Sequence, residues 1–199
     1  MARKGKTKDQ IKTILVLVEG KTEQIYFSQL RSYEYLVGLN LQPKLAKQSN
    51  PYHILKSALA AKEEDVYDFI WCVFDKDILH KTKPKDFNQL YAKAIRENIN
   101  FAESLPCFEV WFLLHFVLPK RFYTNAKSVE NELCEHLKGY CKDTKWLQKS
   151  KIYDILKEHQ IKAIENSKVL SKSNRQNQNP KATFSNIYKL VENILNQKN

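Results

Sequence analysis

The sequence predicts an α/β fold in which a parallel β-sheet is flanked by helices and followed by a helical C-terminal elaboration. Between residues 11 and 118, short and almost continuous runs of apolar, β-branched residues alternate with amphipathic stretches of helical period. This alternation is typical of parallel sheets, whose crossover helices cover both faces. Beyond Pro119 only helical patterns follow. We therefore expect a core at 11–118 and a helical extension at 119–199, packed together as a single compact unit.

Four segments of the core have the character of strands. Residues 11–18 (IKTILVLV) and 68–74 (DFIWCVF) are the strongest, because their apolar residues run almost without interruption. Residues 39–46 form a weaker strand, and Pro43 favours an edge position because proline cannot donate a hydrogen bond to a neighbouring strand. Residues 100–103 form a short fourth strand.

Helical spacing of apolar residues predicts the remaining elements. In the core, the predicted helices are residues 22–36, 51–64, 87–99 and 106–118. In the extension, they are residues 128–137, 152–168 and 181–197. The polar stretch 171–180 (SKSNRQNQNP) is predicted to be a loop, because it lacks apolar residues to anchor it.

The charge balance indicates a polyanionic partner. The 199 residues carry 33 lysines and arginines against 22 acidic residues, a net charge of +11. Such an excess is typical of proteins that bind nucleic acid, although a lysine-rich surface that is merely solvated is the alternative. The positive residues concentrate at 3–12, 81–85 and 168–181. No apolar run is long enough to cross a bilayer and no signal peptide is apparent, so we expect a cytoplasmic protein without membrane contact.

Two familiar types of site find little support. Gly20-Lys21-Thr22 resembles the end of a phosphate-binding loop, but Leu15 stands where the first glycine is needed, which argues against an NTPase. The four cysteines show no C-x-x-C spacing. Cys134, His136 and Cys141 could form half of a zinc site, but no fourth ligand is apparent.

The most informative acids follow the two strongest strands. Glu19 comes directly after the first, and Asp75 and Asp77 follow the second. Because ligands of parallel sheets bind beyond the carboxyl ends of the strands, these side chains should converge if the strands are neighbours. Each acid alone could be a helix cap or a turn former. Together, three close carboxylates would repel one another unless a divalent cation, Mg²⁺ or Mn²⁺, neutralised them.

Several motifs resemble a known family. Residues 16–23 (VLVEGKTE) resemble the first motif of topoisomerase-primase (Toprim) domains, in the form found in overcoming-lysogenization-defect nucleases and RloB-like proteins. Residues 73–77 (VFDKD) resemble the second motif, D-x-D. Residues 104–116 (SLPCFEVWFLLHF) resemble a segment of the RloB-like family and are the most specific match. Asn179-Pro180 before a helix resembles that family's C-terminal end.

This resemblance implies a Toprim-like fold and a nuclease that hydrolyses phosphodiester bonds with Mg²⁺ (or Mn²⁺). It assigns Glu19 as general acid/base or metal ligand, and Asp75 and Asp77 as metal ligands. It also implies a role in bacterial or archaeal anti-phage defence by abortive infection. A AAA-type ATPase or a restriction-system subunit encoded nearby is the implied protein partner.

Further residues are candidates around this site. Glu109 follows the fourth strand and is either a further ligand or positioning acid, or an acid that suits the dipole of its helix. Four cations could hold phosphates: Lys21, Lys76, Lys172 and Arg175. We expect His115 and the aromatic side chains at 111, 112 and 116 to belong to the core, and Trp71, in the middle of a strand, to face helices.

Two functions are compatible with these residues. The first is a Mg²⁺-dependent nuclease acting on DNA or RNA. The second is a non-catalytic subunit that binds nucleic acid or an ATPase partner in an abortive-infection system. The complete acidic set favours the nuclease, since a protein that only binds a polyanion gains nothing from clustered carboxylates.

Overall fold

The computed structural model describes residues 11–48, 50–77, 85–140, 142–177 and 182–197. Its strands are β1 (Lys12–Val18), β2 (Leu39–Leu45), β3 (Phe69–Asp75), β4 (Asn100–Leu105) and β5 (Phe184–Ser185). The helices in these ranges are α1 (Lys21–Tyr33), α2 (Pro51–Glu63), α3 (Phe87–Arg96), α4 (Glu109–Leu114), α5 (Ala126–His136), α6 (Thr144–Lys149), α7 (Ile152–Lys157), α8 (Gln160–Asn177) and α9 (Ile187–Asn196). The predicted α/β class is confirmed.

The strands form one sheet in the order β2-β1-β3-β4-β5, and β1 to β4 are parallel. The strand that contains Pro43 lies at an edge, as its missing N–H group predicts. In the centre of the sheet, β1 and β3 are neighbours, with Val18 beside Val73. The acids that follow these two strands are therefore brought to the same edge of the sheet.

Alternate residues of the central strands pack into two apolar layers. Ile14, Val16 and Val18 face one layer, which contains α1, α4 and α9, while Leu15 and Leu17 face the layer formed by α2 and α3. All five are buried. Burial of one such side chain stabilises a fold by about 1.5–3 kcal/mol. Both faces of β1 thus contribute to stability, and its carboxyl end is held in place.

Aromatic side chains fix α4 against α1. The ring of Tyr26 lies 5.9 Å from that of Phe108 and 5.6 Å from that of Phe112, measured between centroids. Trp111 and His115 are fully buried in the same layer, and the His115 imidazole bonds through Nδ1 to the Trp111 carbonyl at 2.8 Å. The expectation that Trp111, Phe112 and His115 lie in the core is confirmed. The first turn of α4, which carries Glu109, is consequently held close to the ends of β1 and β3.

Several predicted elements of the second half need correction. The helix predicted at 106–118 is limited to α4, and the one predicted at 152–168 is two helices, α7 and α8. A turn closed by the N–H of His159 donating to the Leu156 carbonyl at 2.9 Å separates them. The extension also contributes a strand, because β5 pairs antiparallel with the end of β4.

The predicted loop at 171–180 is wrong for residues 171–177, which continue α8. The Asn174 side-chain amide donates to the Thr183 carbonyl at 3.0 Å, and the preceding turns bury Ser167 and Leu170. Tertiary contacts of this kind override weak local helix propensity. Residues 178–180 lie outside the described ranges. In the part of the chain that is described, no helix combines the length and apolar character needed to cross a membrane.

Candidate active site

The predicted convergence of acids is confirmed for Glu19 and Asp75. Asp75 is the last residue of β3, and its backbone N–H donates to Glu19 Oε2 at 3.1 Å. Asp77 lies two residues further along, where its charge acts on Glu19. The parallel pairing of β1 and β3 produces this arrangement, because both strands end at the same edge.

Glu23 is a fifth acid, which the sequence analysis did not assign to the site. It lies in the first turn of α1 and is only 6 % exposed. Its carboxylate folds back toward Gly20, where an added Cβ would come within 2.8 Å of Glu23 Oε2. The sequence feature that could have identified Glu23 is its position on the buried stripe of α1, three and four residues before Tyr26 and Phe27. An acid on an apolar stripe is unusual unless it has a partner or a function.

Glu109 is the most deeply buried member of the group. It opens α4 with a fully buried side chain, and its Oε1 lies 2.9 Å from the Lys142 ammonium. The Tyr140 hydroxyl approaches the same oxygen at 3.5 Å. The other oxygen, Oε2, has no hydrogen-bond partner in the described part of the chain. A buried carboxylate oxygen without a hydrogen-bond partner is destabilising in an apolar interior. A favourable interaction with the helix dipole is therefore not a sufficient explanation for Glu109.

Burial raises the pKa of three carboxyl groups in this acidic cluster, which comprises Glu19, Glu23, Asp75, Asp77 and Glu109. The pKa of Glu23 is raised to about 7, first by burial and then by the charges of Glu109 and Glu19. The pKa of Asp75 is raised well above its ordinary value by burial and then by the neighbouring glutamates. Burial also raises that of Glu19, although the hydrogen bond from Asp75 partly offsets this. The positive charge near these carboxyl groups is therefore too small to offset the effects of burial and mutual repulsion on their ionised forms.

Lys142 supplies the positive charge that the cluster does have. It lies between α5 and α6, a segment whose role the sequence patterns did not reveal. Burial opposes its charge and lowers its pKa, but the charge and hydrogen bond of Glu109, with contributions from Cys107 and Asp75, together raise the pKa of Lys142. The charge of the same ammonium partly offsets the rise in the pKa of Glu19, Glu23 and Asp75. One lysine therefore acts on several carboxylates at once.

The lysines predicted to contact phosphates lie in different surroundings. The Lys21 ammonium donates to Gln24 Oε1 at 3.1 Å, at the start of α1. Lys76 separates the two aspartates in sequence, but its ammonium lies 3.3 Å from Glu103 Oε2. Lys172 is exposed on α8, and Arg175 belongs to the same helix but its side chain lies outside the described residues. Among these cations, only Lys21 belongs to an element that also carries a cluster acid.

The donor set fits a hard divalent cation, because every available ligand is a carboxylate oxygen. The unpartnered Oε2 of Glu109 and the raised pKa values point in the same direction. Within the described ranges, however, no three His, Cys, Asp or Glu side chains are already arranged to hold one metal ion. A cation would require the side chains of the cluster to close around it.

Ser104, the first residue of the motif at 104–116, bonds within the sheet, and the possible zinc ligands are exposed, stacked on an aromatic ring or outside the described residues. The hydroxyl groups of Ser104 and Ser185 are 3.0 Å apart in the buried junction of β4 and β5. Of the possible zinc ligands, Cys134 is exposed and His136 stacks on Phe116. Cys141 lies outside the described residues. These residues do not add to the acidic cluster.

Comparison with known proteins gives one result. No curated protein and no solved structure was found to match the chain. The model of a protein family described as RloB-like protein matches residues 14–194, nearly the whole sequence and all five cluster acids. The chain therefore belongs to the RloB-like family.

Proposed function

We propose that this protein is a Mg²⁺-dependent nuclease that hydrolyses phosphodiester bonds of DNA or RNA in a bacterial or archaeal anti-phage defence system. The observation that carries the proposal is the acidic cluster at the carboxyl ends of β1 and β3. Its carboxylates are buried (Glu23, Glu109) or half-buried (Glu19, Asp75, Asp77) and repel one another, and Lys142 is a small counter-charge for five acids. The defence role rests on the family resemblance alone.

Each acid has a role in this proposal. Asp75, Asp77 and Glu109 would hold the cation, with Glu23 supporting them from α1. When bound, Mg²⁺ would activate water and stabilise the negative charge that develops on the phosphate. Glu19 would hold or release a proton beside the attacked phosphate, a role for which its raised pKa is suited. The fixed main chain of Asp75, bonded to Glu19, would keep that carboxyl group oriented.

A second candidate is a non-catalytic subunit that binds nucleic acid or a AAA-type ATPase. The ion pair between Lys142 and Glu109 favours it, because it partly satisfies the cluster without a metal. The absence of a ready three-ligand group among the described side chains favours it as well. In this case the cluster would be a structural or partner-sensing element.

Substitution of Glu19 by glutamine separates the two candidates. Gln keeps the size of the side chain but removes its charge and its proton exchange, so cleavage should fall about 10²–10⁴-fold while folding and binding are retained. Mixed DNA and RNA substrates would be incubated with Mg²⁺, Mn²⁺ or EDTA, in the presence of any ATPase encoded beside the gene. Glu97→Gln, an exposed acid after α3, is the matched control. Equal behaviour of the Glu19 variant and wild type, in a system that restricts phage, would establish the non-catalytic candidate.

A further inference from the structure

A lysine-rich segment lies beside the acidic cluster. Between residues 138 and 151 there are five lysines and one aspartate. All five lysines are exposed: Lys138, Lys142, Lys145, Lys149 and Lys151. We call this set the lysine track. The sequence analysis identified other basic segments but not this one. Here the lysines are not adjacent, because residues such as Gly139, Tyr140, Trp146 and Leu147 separate them.

The lysines of the track extend from the acidic cluster along α6. Lys145 and Lys149 are four residues apart on α6 and therefore share a face. Leu147 lies on the opposite face, 1 % exposed, and its carbonyl accepts from the Gln29 side chain at 3.1 Å. Just before α6, Lys142, the second lysine of the track, reaches Glu109 in the cluster. The line of positive charge thus begins at the acidic cluster and continues outward along α6.

Most of the track has no acidic partner among the described residues. Several lysines elsewhere pair with glutamates, as Lys76 does with Glu103 and Lys168 with Glu192. In the described part of the chain, the salt bridges of the track are limited to that of Lys142. The aspartate within the segment, Asp143, is occupied as the cap of α6 and accepts from the backbone N–H groups of Lys145 and Trp146. The positive charge of α6 is therefore left unneutralised.

The lysine track and the acidic cluster have opposite effects on a phosphate. The acidic cluster repels it, whereas a row of exposed ammonium groups attracts it and releases counterions when it binds. We infer that the lysine track binds the sugar–phosphate backbone of a nucleic acid strand and leads it to the acidic cluster. This inference rests on the proposed function and extends it, because it places the substrate along α6. The backbone chemistry is shared by DNA and RNA, single or paired.

The test is the salt dependence of binding, measured in EDTA so that cleavage does not contribute. Fluorescence anisotropy would follow labelled single-stranded DNA, duplex DNA and RNA with the wild type and with Lys145→Gln/Lys149→Gln. Neither lysine contacts the cluster, so the double variant should fold normally, which its thermal melting would verify. Lys93→Gln/Arg96→Gln removes the same charge from the last turn of α3, on the other layer of the sheet, and serves as the control.

We expect the track variant to bind more weakly at low salt. The slope of log affinity against log salt should decrease by about 1.8 for duplex and about 1.4 for single strands, since each lost phosphate contact contributes about 0.9 or 0.7. The control should keep the wild-type slope. A larger effect on one substrate would identify the preferred strand type.

Three results would overturn the inference. These are an unchanged slope in the track variant, an equal loss in the control, and no binding by the wild type at low salt. If polyglutamate displaced the oligonucleotide as effectively as unlabelled nucleic acid, the track would be a surface for an acidic protein. A wild type that binds through the track but does not cleave with Mg²⁺, even with any ATPase encoded beside the gene and in a system that restricts phage, would refute the proposed nuclease and leave the inference intact.

Discussion

At the scale of single residues, the acids of this protein lie where ordinary stability would disfavour them. Glu109 is fully buried and Glu23 nearly so, and each has other carboxylates beside it. Removing charged groups from water costs several kcal/mol per ion, and partners must offset that cost. Lys142 and Tyr140 offset it at one oxygen of Glu109 only. This imbalance is the reason to expect a cation in the cluster.

Asp75→Asn tests that expectation. In the wild type, Mg²⁺ or Mn²⁺ at about a hundredfold excess over Kd should stabilise the fold by about 2.7 kcal/mol. For a chain of this size that corresponds to about 5–10 °C in Tm. The variant should lose this response, yet without metal it should be at least as stable as the wild type, because one repelling charge is gone. Thermal melting with and without metal measures both effects.

Asp68→Asn is the control for this substitution. Asp68 precedes the same strand at its opposite end, and its carboxylate accepts from the N–H of Thr13 at 2.6 Å. It should keep the metal response while losing some stability. A full metal response in Asp75→Asn would refute the assignment of the metal site.

The raised pKa of Glu23 predicts how the stability of the metal-free protein depends on pH. Its pKa is about 7 in the fold, against an ordinary value of 4.5, so the folded state holds this proton more tightly than the unfolded chain. The resulting stability is fully present below the unfolded value and is lost as the pH rises through about 7. In EDTA, Tm should therefore fall between about pH 5 and pH 8. The raised pKa values of Asp75 and Glu19 act in the same direction.

Glu23→Gln should make this decline shallower, because the amide does not titrate. Parallel melting curves of the variant and the wild type across the same pH range would measure the difference, with Glu97→Gln as the exposed control. Identical pH dependence in the variant and the wild type would mean that Glu23 does not titrate as its burial suggests.

At the scale of elements, the strands were easier to predict than the short helices. The continuous apolar runs of β1 and β3 and the proline of β2 identified three strands and the edge. By contrast, α6 has only six residues, too few for a periodic pattern to be recognised. It is stabilised by its cap and by contacts with α1, neither of which is visible in periodicity. The lysine track was missed because its lysines are separated by other residues in the sequence.

Asp143→Ala is expected to weaken α6. The Asp143 side chain accepts hydrogen bonds from the backbone N–H groups of Lys145 and Trp146 at 2.9 and 3.0 Å. Loss of such a cap costs about 1 kcal/mol in general. Urea unfolding should show this loss, whereas Asp143→Ser should retain most of the stability because serine is also a good cap. An equal loss with serine would show that the aspartate acts through its charge.

At the scale of the whole molecule, the sequence predicted the edge at which the site forms but only part of the site. Glu19 and Asp75 could be placed together because parallel strands order their ends. The roles of Glu23 and Lys142 depend on how α1 and the segment after α5 pack, which a one-dimensional pattern does not contain. The second half of the chain was described as an extension, yet β5 joins the sheet and Lys142 joins the cluster.

The dependence of the core on this second half yields the last prediction. Residues after 118 contribute fully buried side chains to the layer that covers α1 and α4: Val129, Leu133, Ile152, Tyr153, Leu156, Ile187, Leu190, Val191 and Ile194. Without them, the α4 face would be exposed to water, at about 25 cal/mol per Å² of apolar surface. A fragment ending at Leu118 should therefore lack a cooperative thermal transition and should bind a dye that recognises apolar surface. A fragment that melts cooperatively with native near-ultraviolet circular dichroism would instead show that residues 11–118 fold as an independent domain.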